Sequence, residues 1–157
     1  MGLRGKGSVA FYRTKDKKAP HNAYASGERI QKAIEAMGYS QKYPESYTGH
    51  YRFQYGGPHN GDEGQLTAKN IIFQYCGWKY YSSSEYLDID VHSPGLGYYF
   101  TNGRGERLTW TKGSADAVTK YYDESGQEIL LNPGSTWICI IQSDRMDKAE
   151  FYGEQTE

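Results

Sequence analysis

The stretch LGYYFTNGRGERLTW, residues 96–110, decides the fold. Leu96 to Phe100 reads as a strand. Asn102-Gly103 supplies the two residues with φ > 0 that a tight hairpin needs. Arg107 to Thr111 then returns as the second strand. The same grammar runs outward on both sides. Upstream, Tyr51, Phe53 and Tyr55 alternate with Arg52 and Gln54, a period of two. Asn60 to Gly64 is a polar turn. NIIFQYCGWKYY, 70–81, reads as one long strand with Gly77 as a bulge. Leu87, Ile89 and Val91 alternate with Asp88, Asp90 and His92, and Ser93-Pro-Gly is a turn. Downstream, Val118 to Tyr122 leads into Asp-Glu-Ser-Gly at 123–126, which suits a type I turn with a glycine bulge. After Asn132-Pro-Gly, TWICII at 136–141 reads as a buried strand. Short strands at even spacing with tight turns describe an antiparallel sheet or sandwich.

One segment follows a different period. Ile30, Ala33, Ile34 and Met37 fall at i, i+3, i+4 and i+7, one apolar helical stripe. Ser26 suits the N-cap and Gly38 the left-handed C′ position. The spacing predicts a helix over Gly27 to Met37. Ser8 to Tyr12 is a candidate edge strand. The expected class is α+β, mainly antiparallel β, a sheet or sandwich with one helix near the N-terminus.

Composition agrees with that reading. The chain has 157 residues, of which 16 are Tyr and 19 Gly, types enriched in strands and turns. Mean hydropathy is −0.84. No apolar run approaches the ~18 residues of a membrane-spanning helix. No charged stretch followed by an apolar one stands at its start, so an intact secretory signal is not expected there. The formal charge of −1 conceals an asymmetry. Residues 1–60 carry ten Lys/Arg and four acids, and the remainder eight bases and fifteen acids. The basic residues are scattered and no recognition motif accompanies them. A solvated edge, or contact with an acidic surface, accounts for them better than nucleic acid does. Cys76 and Cys139 lie far apart in strand-like surroundings without a CxxC neighbour, which removes zinc-ribbon and thioredoxin-type readings. They read as buried free thiols, with a disulfide left open if the protein is exported.

The chemistry-bearing residues are few. Pro20-His21-Asn22 recurs as Pro58-His59-Asn60. Two loop histidines with Asp62 or Glu63 nearby could move protons or hold a metal. Without HxH or HExxH spacing, turn fixing is the simpler account, and no metal or cofactor is expected. Asp88 and Asp90 share a strand face with His92, and a solvated stripe explains them as well as a carboxylate pair does. GxSxG, P-loop and GxGxxG motifs are absent from the sequence. Three Tyr-Tyr pairs, at 80–81, 98–99 and 121–122, place one ring outward and one inward on any strand, so the outward rings are candidates for stacking on sugars or peptides.

The order of the pieces carries a resemblance. YRFQYGGPHN (51–60), QLTAKNIIFQY (65–75), LDIDVHSPGLGYYFTNGRGERLTW (87–110) and YYDESGQEILLNPGSTWICII (121–141) together resemble the YerB-like family. These are bacterial lipoproteins built from domains of unknown function. FYRTKDKKAPHNAY (11–24) resembles the end of that family's larger N-terminal domain. The resemblance implies three parts: residues 1–48 from the end of the N-terminal domain, 49–142 as the C-terminal β domain, and a charged tail at 143–157. It implies an extracytoplasmic parent, membrane-anchored only through an N-terminal lipid that this chain lacks. It brings no established activity. Among positions matching the family pattern, Arg13, His21, Arg52 and His59 are not explained by turn chemistry.

The expectation is therefore a non-enzymatic binding module of the cell envelope. Its candidate binding residues are Arg13, His21, Asn22, Arg52, His59, Asp62 and Asp88. Its partner would be a cell-wall glycan, a peptide or a protein. The alternative is an envelope-acting hydrolase using His21 and His59 with a carboxylate or metal. A domain cut from its neighbour can also leave a sheet edge open, which predicts a homodimer through that edge.

Overall fold

The computed structural model describes residues 2–3, 9–12, 22–25, 50–54, 57–102, 104–152 and 155–156. The predicted helix over 27–37 lies outside the described residues. The first strands are β1 (Gly2–Leu3), β2 (Val9–Tyr12), β3 (Asn22–Ala25) and β4 (His50–Gln54). Four short pieces follow: β5 (Gly57–Pro58), β6 (Asn60–Gly61), β7 (Gly64–Gln65) and β8 (Thr67–Ala68). Then come β9 (Asn70–Cys76), β10 (Trp78–Tyr80), β11 (Leu87–Ile89), β12 (Gly95–Thr101) and β13 (Arg104–Thr111). The chain ends with β14 (Lys120–Tyr122), β15 (Thr136–Gln142), a 3-10 turn at Ser143–Lys148, β16 (Ala149–Tyr152) and β17 (Gln155–Thr156).

Two main sheets result. The first has the order β15-β9-β12-β13-β1-β17, with β14 also on β13. The second has the order β16-β2-β3-β4-β5, with β8 also on β4. All described pairings are antiparallel except β15 with β9. The expected β-rich, mainly antiparallel architecture is what forms. Within it, the segment after Ser143 contributes β16, which pairs with β2. The second sheet likewise draws strands from both sides of residue 48.

The hairpin that opened the sequence reading forms as expected. Thr101 pairs with Arg104, and Asn102 after it has φ +51°. Gly97 is required where β12 crosses β9: a Cβ there would lie 2.1 Å from the Phe73 carbonyl oxygen. The stretch 70–81 is shorter than predicted. β9 ends at Cys76, and after Gly77 the chain turns into a separate hairpin, β10 with β11.

β9 is buried along its whole length. Alternation sends its odd-numbered side chains to one face and its even-numbered ones to the other. Ile71, Phe73 and Tyr75 join Ala68 and Phe100 in a core that Trp137, Cys139, Met146 and Phe151 help to cover. Phe151 of the second sheet packs on Tyr98 and Phe100 of the first, with ring centroids 4.8 and 5.7 Å apart. This core therefore lies between the sheets, as in a sandwich. On the opposite face, Ile72, Cys76, Tyr99, Leu108 and Trp110 form a second cluster. Trp110 Nε1 donates to the Tyr75 carbonyl at 3.0 Å, which satisfies its only polar atom.

Both faces of the sheet are thus covered, and this changes the tyrosine expectation. Tyr99 is buried, and Tyr98 is half-buried with its ring stacked against Phe100. Tyr80 and Tyr81 are both exposed.

Candidate functional site

Arg52 sits on β4 with its side chain buried at the seam between the sheets. Its backbone is fixed from both sides: the N–H donates to Leu66 O at 2.9 Å, and its carbonyl accepts from His59 N at 3.0 Å. Gln65 Nε2 adds a third bond to that carbonyl, at 2.7 Å. The guanidinium carbon lies 4.4 Å from the centre of the Trp137 ring. A guanidinium over an indole face is attracted by the ring electrons and keeps its charge. Nη1 donates to His59 Nδ1 at 2.6 Å. An imidazole that accepts at Nδ1 carries its proton at Nε2 and is neutral. Desolvation, and then the Arg52 charge, lower the His59 pKa below its ordinary value. His59 also meets the Trp137 ring edge-on, 6.2 Å between centroids. The result is an Arg-His-Trp cluster built from β4, the segment after Pro58, and β15.

The cluster opens onto a groove of about 350 Å³. Its walls include Arg52, Trp137, Leu87, Ile89 and Arg145, with residues 139–142 in succession. Consecutive residues alternate faces, so a wall made of four in a row is the edge of the strand. β15 stands at the end of its sheet, and among the described residues no strand pairs with its outer side. This corrects the expectation of a buried TWICII strand: Ile138 and Ile140 remain 46% and 44% exposed. Among the described residues, the lining carries two arginines and no acid. A cationic, aromatic and apolar groove suits a carboxylate-bearing or otherwise anionic ligand.

The other expected residues divide. Asn22 opens β3 opposite Gln54, which in turn pairs with Gly57, so Asn22 and the Pro58-His59-Asn60 segment flank the same end of β4. Arg13 and His21 lie outside the described residues. Asp62 occupies the exposed tip between β6 and β7. Asp88 lies in a different groove with Gly77, Trp78 and Asp90, and faces Lys79 at 3.9 Å. Neither aspartate bonds to His59 among the described residues. The polar stripe through Asp90 and His92 does not form. Asp90 leaves the strand and its Oδ1 accepts from the backbone N–H groups of His92 and Ser93 at 2.9 and 3.0 Å. The Ser93 hydroxyl, and then those backbone bonds, hold its carboxyl down at about 2. No three His, Cys, Asp or Glu side chains gather as a metal site among the described residues.

Two residues were not singled out by sequence reasoning. Trp137 appeared only as an expected core residue. Its role as the platform for Arg52 depends on which strand β15 approaches. His50 is buried at the start of β4, with Nδ1 3.3 Å from the Ala68 carbonyl. Burial pushes its pKa down to about 4. No periodicity marks a lone histidine as buried.

No curated protein matches this chain. Among solved structures, the crystal structure of YerB protein from Bacillus subtilis is similar, with a TM-score of 0.66 at 18% identity. That likeness covers 95% of this chain and 44% of the YerB chain, so the chain spans less than half of that protein. At that identity the likeness concerns the fold. The family model described as "Protein of unknown function (DUF3048) C-terminal domain" matches residues 32–138, and the chain belongs to that family.

Proposed function

We propose that this chain is a non-enzymatic binding module of the bacterial cell envelope, whose ligand lies in the groove along β15. The observation that carries the reading is Arg52, its guanidinium carbon 4.4 Å from the centre of the Trp137 ring and Nη1 bonded to a neutral His59, at the mouth of the groove. Such a cluster offers a fixed cation beside an aromatic face, and the neutral imidazole adds an Nε2–H donor. The envelope setting rests on the resemblance to YerB-like lipoproteins. In the parent, the module is extracytoplasmic and anchored by an N-terminal lipid.

The hydrolase alternative has less support. It needs a carboxylate beside His59, and neither Asp62 nor Asp88 bonds to that imidazole. His59 Nδ1 is engaged by a cation, which opposes protonation. A panel of cell-wall glycan fragments and short peptides, read by amide chemical shifts, tests the binding reading. Shifts converging on Trp137, Ile140 and Gln142 are expected. Silence across the whole panel would overturn it.

A further inference from the structure

We infer that the hairpin β10–β11 carries a second binding site, on the face that bears Lys79, Tyr81, Tyr86 and Asp88, and that its ligand is a neutral saccharide. This site is separate from the groove along β15 and goes beyond the binding reading above.

Register places the residues. Trp78 pairs with Ile89, Lys79 with Asp88 and Tyr80 with Leu87. The Tyr81 N–H donates to the Tyr86 carbonyl at 3.1 Å, so the pairing runs one step further. Cross-strand partners share a face, and alternation sends neighbours to opposite faces. Trp78, Tyr80, Leu87 and Ile89 therefore lie on one face, where Leu87 and Ile89 line the groove already described. Lys79, Tyr81, Tyr86 and Asp88 lie on the other. There Tyr81 and Tyr86 are 54% and 78% exposed, side by side at the end of the hairpin. Lys79 and Asp88 stand two residues further along, about 7 Å away. They form a loose pair, 3.9 Å apart, on the wall of a cleft of about 300 Å³. A Cβ at Gly77 in that cleft would meet nothing within 4 Å.

The platform is built in advance. Trp78 Nε1 donates to Asp144 Oδ1 at 2.8 Å, which ties the base of the hairpin to the 3-10 turn after β15. The Trp78 ring meets Tyr80 edge-on at 5.3 Å. At the tip, Ser84 N–H donates to the Tyr81 carbonyl at 3.2 Å and Ser84 Oγ accepts from the Tyr86 N–H at 3.0 Å. These bonds fix the backbone of both tyrosines, so a ligand orders little more than two rings.

Chemistry then chooses the ligand. A pyranose with equatorial hydroxyls presents axial C–H groups on its faces and hydroxyls around its rim. The C–H face suits a tyrosine ring, whose own face is electron-rich. Rim hydroxyls both donate and accept. They match Lys79, which only donates, beside the Asp88 carboxylate, which accepts. The tyrosine hydroxyls do both. Residues 78–90 hold one base, Lys79, and three acids, Glu85, Asp88 and Asp90, a net of −2. That charge opposes uronates, phosphate-bearing polymers and an anionic bilayer. The tip itself, Ser82-Ser83-Ser84-Glu85, offers no apolar side chain to a bilayer.

The probes are two neutral trisaccharides, cellotriose and triacetylchitotriose, the anionic trigalacturonate, and vesicles of phosphatidylcholine with phosphatidylglycerol, each added to the full chain and read by amide chemical shifts. At least one neutral trisaccharide is expected to shift Lys79, Tyr81, Tyr86 and Asp88 while Trp137 and Ile140 stay in place. Tyr86→Ala is expected to weaken that binding about fivefold, the loss of one aromatic contact. Tyr86→Trp should retain it, and Tyr80→Ala, on the other face, should leave it unchanged. Trigalacturonate is expected to bind more weakly than the neutral sugar. Equal or tighter binding of trigalacturonate overturns the neutral ligand. An equal loss with Tyr80→Ala overturns the assignment of the face. Hairpin shifts caused by vesicles and by neither neutral sugar give the tip to a membrane and overturn the inference. Sugar shifts confined to Trp137, Ile140 and Gln142 overturn it and support the groove reading instead. No shift with either neutral trisaccharide overturns this site, and the groove is then judged on its own panel.

Discussion

The parallel placement of β15 depends on one buried side chain, and removing it should loosen both the core and the groove. Asn70, 0% exposed, is the first residue of β9. Its Nδ2 donates to the Asn132 carbonyl at 2.8 Å and to Thr136 Oγ1 at 3.3 Å. Its Oδ1 accepts from Tyr99 OH at 2.9 Å and from Thr101 Oγ1 at 2.9 Å. One amide thus ties the turn before β15 to β9 and to β12. Asn70→Ala removes all four bonds. Thr101 keeps a bond from Asn132 Nδ2 at 2.9 Å, so its hydroxyl is only partly orphaned. Tyr99 OH loses its partner inside the core, and the Asn132 carbonyl loses its donor. Each buried orphan costs about 1–3 kcal/mol, so the substitution should destabilise the fold by about 3–5 kcal/mol. That is a large share of the ~5–15 kcal/mol that holds a domain together. Tyr99→Phe alone should cost about 1 kcal/mol. In the double variant the Tyr99 orphan no longer exists, so the two effects should sum to more than the measured total. Urea unfolding with a common m-value is the assay. A loss below about 1 kcal/mol for Asn70→Ala, or strict additivity in the double variant, would refute this role for Asn70.

Three further outcomes follow from the same geometry. His50 has its pKa lowered to about 4 by burial, so the folded state resists protonation. Its stability contribution is complete above pH 6.5 and declines as pH falls towards about 4, by at most about 3 kcal/mol, and His50→Phe should flatten that part of a stability–pH curve. His59 should titrate below its ordinary value of 6.5 in an NMR series, and Arg52→Met should move it upward; an unchanged midpoint would contradict the 2.6 Å bond. Gly97→Ala should separate β12 from β9, because the new methyl would sit 2.1 Å from the Phe73 oxygen and 2.8 Å from Leu108 Cδ1. A thermal scan showing wild-type stability for that variant would contradict the close crossing.

Turns and hairpins whose signals lie within one stretch of chain are legible in the sequence, and pairings with distant strands are not. The hairpin over 95–111 is legible because alternation and the Asn-Gly turn lie within one stretch of chain. The Asn132-Pro-Gly turn is legible for the same reason. TWICII is uniformly apolar, which describes a strand buried on both faces as well as an edge strand with one apolar side exposed. Its parallel partner β9 lies some sixty residues upstream, and no local pattern points to it. Arg52 and His59 drew notice because turn chemistry did not explain them. The third member, Trp137, reaches them only through the sandwich. Asp88, Asp90 and His92 alternate as a strand face would, yet Asp90 binds two backbone N–H groups beyond it and ends the strand. Local side-chain bonds of that kind outcompete a short pairing with β10.

The outer edge of β15, which no strand pairs among the described residues, underlies the groove. Backbone amide hydrogen exchange along Thr136–Gln142 in the free protein tests it most directly. Trp137, Cys139 and Ile141, bonded to β9, should be protected, while Ile138, Ile140 and Gln142 exchange at least a hundredfold faster. Uniform protection along the strand would show that its outer side is already paired and would contradict the open edge.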